Sequence, residues 1–180
     1  MPDMRTHVWY SDNVKGAVNQ QERPSIHGIP VELGNFLAGF ALGEGSFMVV
    51  CRPRADYSGR WKISAAFNVS QRDKTPLELF QRVLGCGTIR KAGNGGWYFE
   101  VNRLTEIHDV VLPFFERFAL VGSKAASYAK FAEAVRLLSK PERSQEDLRR
   151  VLQLREQMNG HGNRRYEMEG ILRDHTPDPG

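Results

Sequence analysis

Cysteine is scarce in this chain. Cys51 and Cys86 are the two it contains, and neither belongs to a CxxC pair or a Cys/His cluster. A structural zinc site needs such a cluster, and a small disulfide scaffold needs many more cysteines. The composition therefore argues against both classes. Two isolated cysteines are typical of a protein from a reducing compartment.

Long apolar runs are also missing from the sequence. No stretch approaches the roughly 18 apolar residues of a membrane-spanning helix, and the polar N-terminus lacks the apolar centre of a secretory signal. Neither sign of charge dominates, because 25 basic residues stand against 21 acidic ones. This modest basic excess favours an anionic partner without requiring one. We expect an intracellular, soluble protein with no membrane association.

Residues 33–45, LGNFLAGFALGEG, form the most unusual stretch. At helical spacing, one stripe is large and apolar and is predicted to pack on the chain's own domain: Leu33, Phe36, Leu37 and Phe40. The opposite stripe has small or apolar side chains where a surface helix would carry charge. Such a helix is expected to be buried on both sides. We therefore predict a partner helix against the second stripe, Asn35, Ala38, Gly39 and Leu42.

Glu44 stands between Gly43 and Gly45 at the predicted C-terminus of this helix. The helix dipole disfavours an anion there by roughly 0.3 to 1 kcal/mol. Nothing in the neighbouring sequence offsets that cost, whereas a bound cation would. Glu44 is therefore the candidate metal ligand.

The run LAGFALGEG at 37–45 resembles the signature of the LAGLIDADG homing endonucleases, with Leu42 where that family often has an acid and Glu44 at its metal-binding acid. The resemblance implies that two motif helices pair and that their acids meet at the scissile phosphates. The chain has one such motif, so it implies a homodimer, with Mg²⁺ as cofactor and Ca²⁺ binding without supporting cleavage. It also implies catalytic roles for Gln71 and Lys124. For the motif helix, the alternative is a helix that packs tightly within its own domain. For Gln71 it is a residue that merely ends a strand, and for Lys124 it is a residue in the exposed first turn of a helix.

Period-two alternation predicts strands at 46–54 and 60–71, followed by a second hairpin at 88–91 and 97–102. The outward side chains of these strands mix cations with hydrogen-bonding groups. A two-stranded ribbon of this kind fits the DNA major groove, although a solvated sheet face is the alternative. The residues predicted to face DNA are Met48, Val50, Arg52, Arg54, Lys62, Ser64, Asn68, Ser70, Thr88 and Arg90.

The predicted element order is αββαββα, which indicates an α+β fold with an antiparallel sheet and helices on one face. The resemblance to the LAGLIDADG family, which has this order, implies that the sheet is saddle-shaped. Helices are predicted at 74–84, capped by Asp73, at 103–119 with a bend at Pro113, and at 124–139 and 144–158. We divide the chain into an N-terminal arm (1–30), a LAGLIDADG endonuclease domain (31–140), and a C-terminal helix with a flexible basic tail (141–180).

The leading functional prediction is a site-specific double-strand DNA endonuclease that hydrolyses phosphodiesters with a metal ion at a long pseudo-palindromic site. Its gene is expected to be freestanding or intron-encoded. The alternative is a non-cleaving nucleic-acid-binding protein of the same fold, an RNA maturase or a DNA-binding regulator, although nothing indicates RNA binding. A scaffold that merely dimerises is a third interpretation. The presence of Glu44 favours cleavage.

Overall fold

The computed structural model describes residues 25–56, 60–93, 95–158 and 166–174. After a 3-10 turn at Ile26–Gly28, the elements are α1 (Val31–Glu44), β1 (Gly45–Pro53), β2 (Trp61–Gln71), α2 (Thr75–Leu84), β3 (Thr88–Lys91), β4 (Trp97–Val101), α3 (Leu104–Glu106), a π-helical turn (Ile107–Val111), α4 (Leu112–Arg117), α5 (Gly122–Leu138), α6 (Gln145–Gln157) and α7 (Met168–Asp174). Among these residues, no helix is both long and apolar enough to cross a membrane.

The four strands form one antiparallel sheet in the order β1-β2-β4-β3. Its inner side is aromatic: Phe47 of β1 lies opposite Phe67 of β2, and their rings stack at 5.2 Å. Phe80 of α2 and Phe115 of α4 pack against Phe67, with ring centroids 6.3 and 5.3 Å away. The helices thus cover the inner side, which confirms the predicted α+β architecture.

Helix α1 is rotated relative to the prediction. Its buried residues are Gly34, Leu37, Ala38 and Ala41, whereas Phe36 is 53% exposed. The placement of Ala38 on the outer stripe is therefore wrong, because Ala38 is 5% exposed and belongs to the chain's own core. A Cβ at Gly34 would lie 2.2 Å from the Phe118 ring. Small residues at these positions let α1 pack closely on its own domain. Small side chains in this helix are therefore not enough to indicate a partner helix.

Two local signals lie where the sequence predicts them. The Asp73 carboxylate accepts a hydrogen bond from the Thr75 N–H at 2.9 Å, and this bond lowers the pKa of Asp73. The predicted bend near Pro113 takes the form of the π-helical turn immediately before α4. Proline has no N–H and its ring crowds the carbonyl four residues earlier, here that of Asp109, so a regular α-helix cannot continue through it.

The segment after residue 140 packs on the sheet domain. In α6, Val151 and Leu154 join the main core. Residues 166–174 include a further helix, α7, which the sequence did not predict, and its Ile171 is fully buried. Together with Cys51, Trp61 and Leu152, Ile171 forms a second core beneath the far end of the β1–β2 hairpin. The tail predicted at 159–165 and 175–180, and the arm predicted at 1–24, lie outside the described residues.

Candidate active site and nucleic-acid interface

Glu44 is the last residue of α1 and is exposed. The chain changes from helix to strand within one residue, because the Gly45 N–H still bonds to the Ala41 carbonyl while Gly45 already has extended backbone angles. A Cβ at Gly45 would lie 2.5 Å from the Ala41 carbonyl oxygen, so only glycine fits without displacement. This tight junction fixes where the Glu44 carboxylate leaves the helix.

Lys124, in the first turn of α5, reaches the same junction. Its Nζ donates a hydrogen bond of 2.5 Å to the Gly45 carbonyl, and its side chain is half-buried. The ammonium group therefore lies at the negative end of the α1 dipole, where a cation is stabilising. The fold thus brings Glu44 and Lys124, which are far apart in the sequence, to one end of α1.

Gln71 is the last residue of β2 and lies near this junction. Val69 is the strand partner of Gly45, so Gln71 is two residues farther along, at the edge of the sheet where α1 meets β1. Gln71 is half-buried, and its side-chain oxygen accepts a hydrogen bond from the Arg72 N–H at 2.7 Å. The three predicted catalytic residues therefore lie at one end of the sheet.

The α1–β1 junction places the Glu44 carboxylate at this end of the sheet. Among the described residues, no group of three or more His, Cys, Asp or Glu side chains could hold a metal ion. Carboxylate oxygen is a ligand that Mg²⁺ and Ca²⁺ accept, but one carboxylate is a weak site. Glu44 therefore fits a divalent cation only if further oxygen ligands come from a second protomer or from a bound phosphate.

The outer side of the sheet is polar and open. Arg52 and Lys62 are strand partners on this side, and within the described chain neither forms an ion pair. On the other half of the sheet, Arg90 lies opposite Tyr98. Apart from Arg54, the predicted DNA-facing residues all belong to strands: Met48, Val50, Arg52, Lys62, Ser64, Asn68, Ser70, Thr88 and Arg90. Those of β1 and β2 alternate with inner residues that are mostly buried, whereas β3 contains no buried residue.

Arg54 differs from its prediction. β1 ends at Pro53, so Arg54 follows the strand rather than lying on its outer side. Its guanidinium forms two hydrogen bonds of 2.7 and 2.5 Å with Asp56. The hydrogen bond from Arg54 lowers the pKa of Asp56 to about 2. The pair neutralises the charge expected to contact phosphate.

Three outward residues were missed: Ser46 of β1 and Tyr98 and Glu100 of β4. Ser46 and Glu100 are both strand partners of Asn68, and Tyr98 lies opposite Ser70. The alternation of β4 was the available signal, because the inner positions Phe99 and Val101 are fully buried. Applying period two to β4 would have identified both of its outward residues.

The outer surface of α1 is apolar and shallow. Asn35, Gly39 and Gly43 are exposed, and Leu42 is half-buried. A Cβ at Gly39 or Gly43 would meet nothing within 4 Å. With the ring of Phe36 beside them, these residues leave room for a second backbone to approach.

The outer side of the sheet carries polar and basic side chains, and α1 ends in an exposed carboxylate at a junction that a lysine also reaches. This arrangement suits a protein that acts on nucleic acid. Comparison with known proteins agrees. The sequence profile of the LAGLIDADG endonucleases matches residues 37–135, and the chain belongs to this family.

Two fungal relatives support the assignment. The chain is 28% identical over 130 residues to a probable intron-encoded endonuclease 2 of Neurospora crassa, which covers 69% of this chain and 29% of that protein. It is also 28% identical over 111 residues to an uncharacterized 50.9 kDa protein in ND4 intron 1 of Podospora anserina, covering 59% and 24%. The chain thus spans less than a third of either relative.

Solved structures share the fold. I-SmaMI, bound to an uncleaved DNA target in the presence of calcium ions, is 27% identical with a TM-score of 0.66, over 73% of this chain and 46% of that one. The homing endonuclease I-TnaI is 24% identical with a TM-score of 0.67, over 78% and 94%. The archaeal intron-encoded I-Vdi141I, complexed with DNA, is 21% identical with a TM-score of 0.71, over 78% and 92%.

Proposed function

We propose that this protein is a homing endonuclease that cleaves both strands of a long, nearly palindromic DNA site as a homodimer. The observation that carries the proposal is that Lys124 reaches the end of α1, where its Nζ donates a hydrogen bond to the carbonyl of Gly45, the residue after Glu44. Phosphodiester hydrolysis needs a metal-binding anion and a cation near the scissile phosphate. These two side chains are of the required kinds.

Glu44 from each protomer would hold Mg²⁺, and Ca²⁺ would bind in its place without supporting cleavage. When bound, the metal supplies charge stabilisation and activation of a water molecule. Lys124 keeps a positive charge beside the phosphate, since its amine is already held at the Gly45 carbonyl. The amide group of Gln71 is suited to orient the attacking water from the adjacent strand end.

The single LAGLIDADG-like motif of the chain and the exposed surface of α1 support the homodimer. The exposed residues of α1 include Asn35, Phe36, Gly39 and Gly43, with Leu42 half-buried, and a second copy of this helix would cover them. Pairing of this surface with itself brings two Glu44 carboxylates together, as a two-fold interface requires. The two outer sheet faces then form one long basic surface, suited to consecutive major grooves.

A gene location within an intron is also proposed, since the names of both fungal relatives place those proteins in introns. Cleavage is tested with a duplex made by joining the sequences that flank the intron carrying the gene, so that the uninterrupted insertion site is restored. With Mg²⁺ the protein should cut this duplex at one site, whereas the duplex that contains the insertion should stay intact. Binding to both duplexes without cleavage would favour the DNA-binding regulator instead.

A further inference from the structure

Glu100 is an anion on a surface otherwise suited to a polyanion. It lies on β4, near the middle of the sheet, where its strand partners are Asn68 on one side and Thr88 on the other. Its side chain is half-buried. Within the described residues Glu100 forms no ion pair, although Arg90 lies on the neighbouring strand. A carboxylate placed there opposes phosphate binding, so it calls for a different partner.

The carboxylate is held in place by one neighbour. Asn102 Nδ2 donates a hydrogen bond of 3.1 Å to Glu100 Oε2, which fixes the direction of Oε1 and of the remaining lone pairs. Asn102 follows the end of β4 at Val101, so it supports Glu100 from the strand end. An ionised carboxylate is an acceptor only, and it can therefore bind only donors.

In the major groove, the four bases differ in what they offer to such a group. Guanine presents two acceptors, and thymine presents an acceptor and a methyl group. Adenine has a donor, but its neighbouring N7 is an acceptor that repels a carboxylate. Cytosine presents a donor, N4, without an adjacent acceptor of its own. A carboxylate therefore matches cytosine best.

We propose that Glu100 is a specificity-determining residue that accepts a hydrogen bond from the exocyclic amino group of a cytosine in each half of the DNA site, with Asn102 as its positioning residue. This inference rests on the proposed function, since it requires the outer side of the sheet to enter the major groove. The Glu100 carboxylate lowers general affinity for DNA and raises discrimination at one base pair.

The test is selection of binding sites from a random duplex library by the full-length protein in Ca²⁺. The parent should enrich a two-fold symmetric sequence with a preferred cytosine in each half-site. The preference for this cytosine should depend on Glu100. Glu100→Gln should change that preference to adenine, because an amide pairs with the donor and acceptor of adenine together. Discrimination in favour of cytosine should fall by roughly 5- to 150-fold. Asn102→Ala should weaken the cytosine preference without creating one for adenine.

Glu78→Gln is the matched control, since Glu78 is an exposed acid on α2 in the helical layer and should leave the selected sequence unchanged. If Glu100→Gln enriches the same sequence as the parent, with cytosine preserved at every position, the inference is wrong and the proposed function stands. If the parent binds duplexes but enriches no sequence, or binds none, both are overturned.

Discussion

At the scale of single residues, the site depends on one hydrogen bond between distant parts of the chain. Lys124 is anchored to the Gly45 carbonyl, and Glu44, the residue before Gly45, is exposed. The lysine is therefore held in place before any ligand binds, which reduces the reorganisation required in the transition state. Its charge also offsets the unfavourable end of the α1 dipole.

Replacement of this lysine should separate catalysis from binding. Lys124→Met keeps the length of the side chain but removes its charge, and we expect the cleavage rate to fall by about 100- to 1,000-fold, as for other preorganised donors. DNA affinity in Ca²⁺ should change by much less. Lys130→Met, on the same helix, is the control, because Lys130 bonds Gln157 instead. An unaltered cleavage rate in Lys124→Met would show that this residue only caps α1.

At the scale of elements, the β1–β2 hairpin packs against the C-terminal helices on its inner side and is open on its outer side. The second core places Trp61 and Cys51 against α6 and α7, and the rings of Trp61 and Tyr166 meet edge to face at 4.9 Å. Arg52 and Lys62 lie on the opposite side of the same strands. The C-terminal helices therefore support the far end of the hairpin, which carries these two cations on its other side.

The hairpin should bind DNA mainly through contacts with the phosphates of the DNA backbone. Replacing Lys62 with alanine should lower the slope of log affinity against log salt by about one for each phosphate that the protein no longer neutralises, hence by about two in a homodimer. The selected DNA sequence should not change. Lys130→Ala, on the helical layer, provides the comparison. Equal slopes for the parent and Lys62→Ala in a salt titration would assign this side of the sheet to solvent.

The sequence predicted the two sides of the sheet correctly where the period-two alternation of a strand alone determines which residues face the core. The alternation along β1 and β2 identified the inner and outer sides because most inner residues are buried, whereas the outer ones, apart from Ala66, are at least partly exposed. Prediction from the sequence failed for Ala38, since small side chains suit close packing on the chain's own core as well as on a partner. Arg54 was misplaced because the end of β1 and the pairing with Asp56 depend on the turn that follows. α7 is short, and its one fully buried residue, Ile171, gives too little pattern to recognise.

At the scale of the whole molecule, function is proposed to require two copies. Gly39→Leu tests this directly, because a side chain at this position has free space in one protomer. Leucine favours a helix over glycine by up to about 1 kcal/mol, so the protomer should not lose stability. At a packed helix pair the added volume should cost roughly 1 to 3 kcal/mol.

Sedimentation at micromolar concentration without DNA should therefore show a dimer for the parent and a weaker dimer or a monomer for Gly39→Leu. Ala129→Leu, on α5, should sediment like the parent. A parent that is monomeric under these conditions, or a Gly39→Leu dimer of undiminished affinity, would refute pairing through this surface.

The central claim is that Glu44 holds the catalytic metal, and a paired titration of Glu44→Gln tests it most directly. Cleavage in Mg²⁺ and binding in Ca²⁺ or without divalent ions are measured on the same duplex, with Glu32→Gln at the other end of α1 as control. We predict that Glu44→Gln loses cleavage. It should bind DNA as well as the parent or slightly better without divalent ions, because two anions facing phosphate are removed. Cleavage by Glu44→Gln at the parental rate would contradict the account.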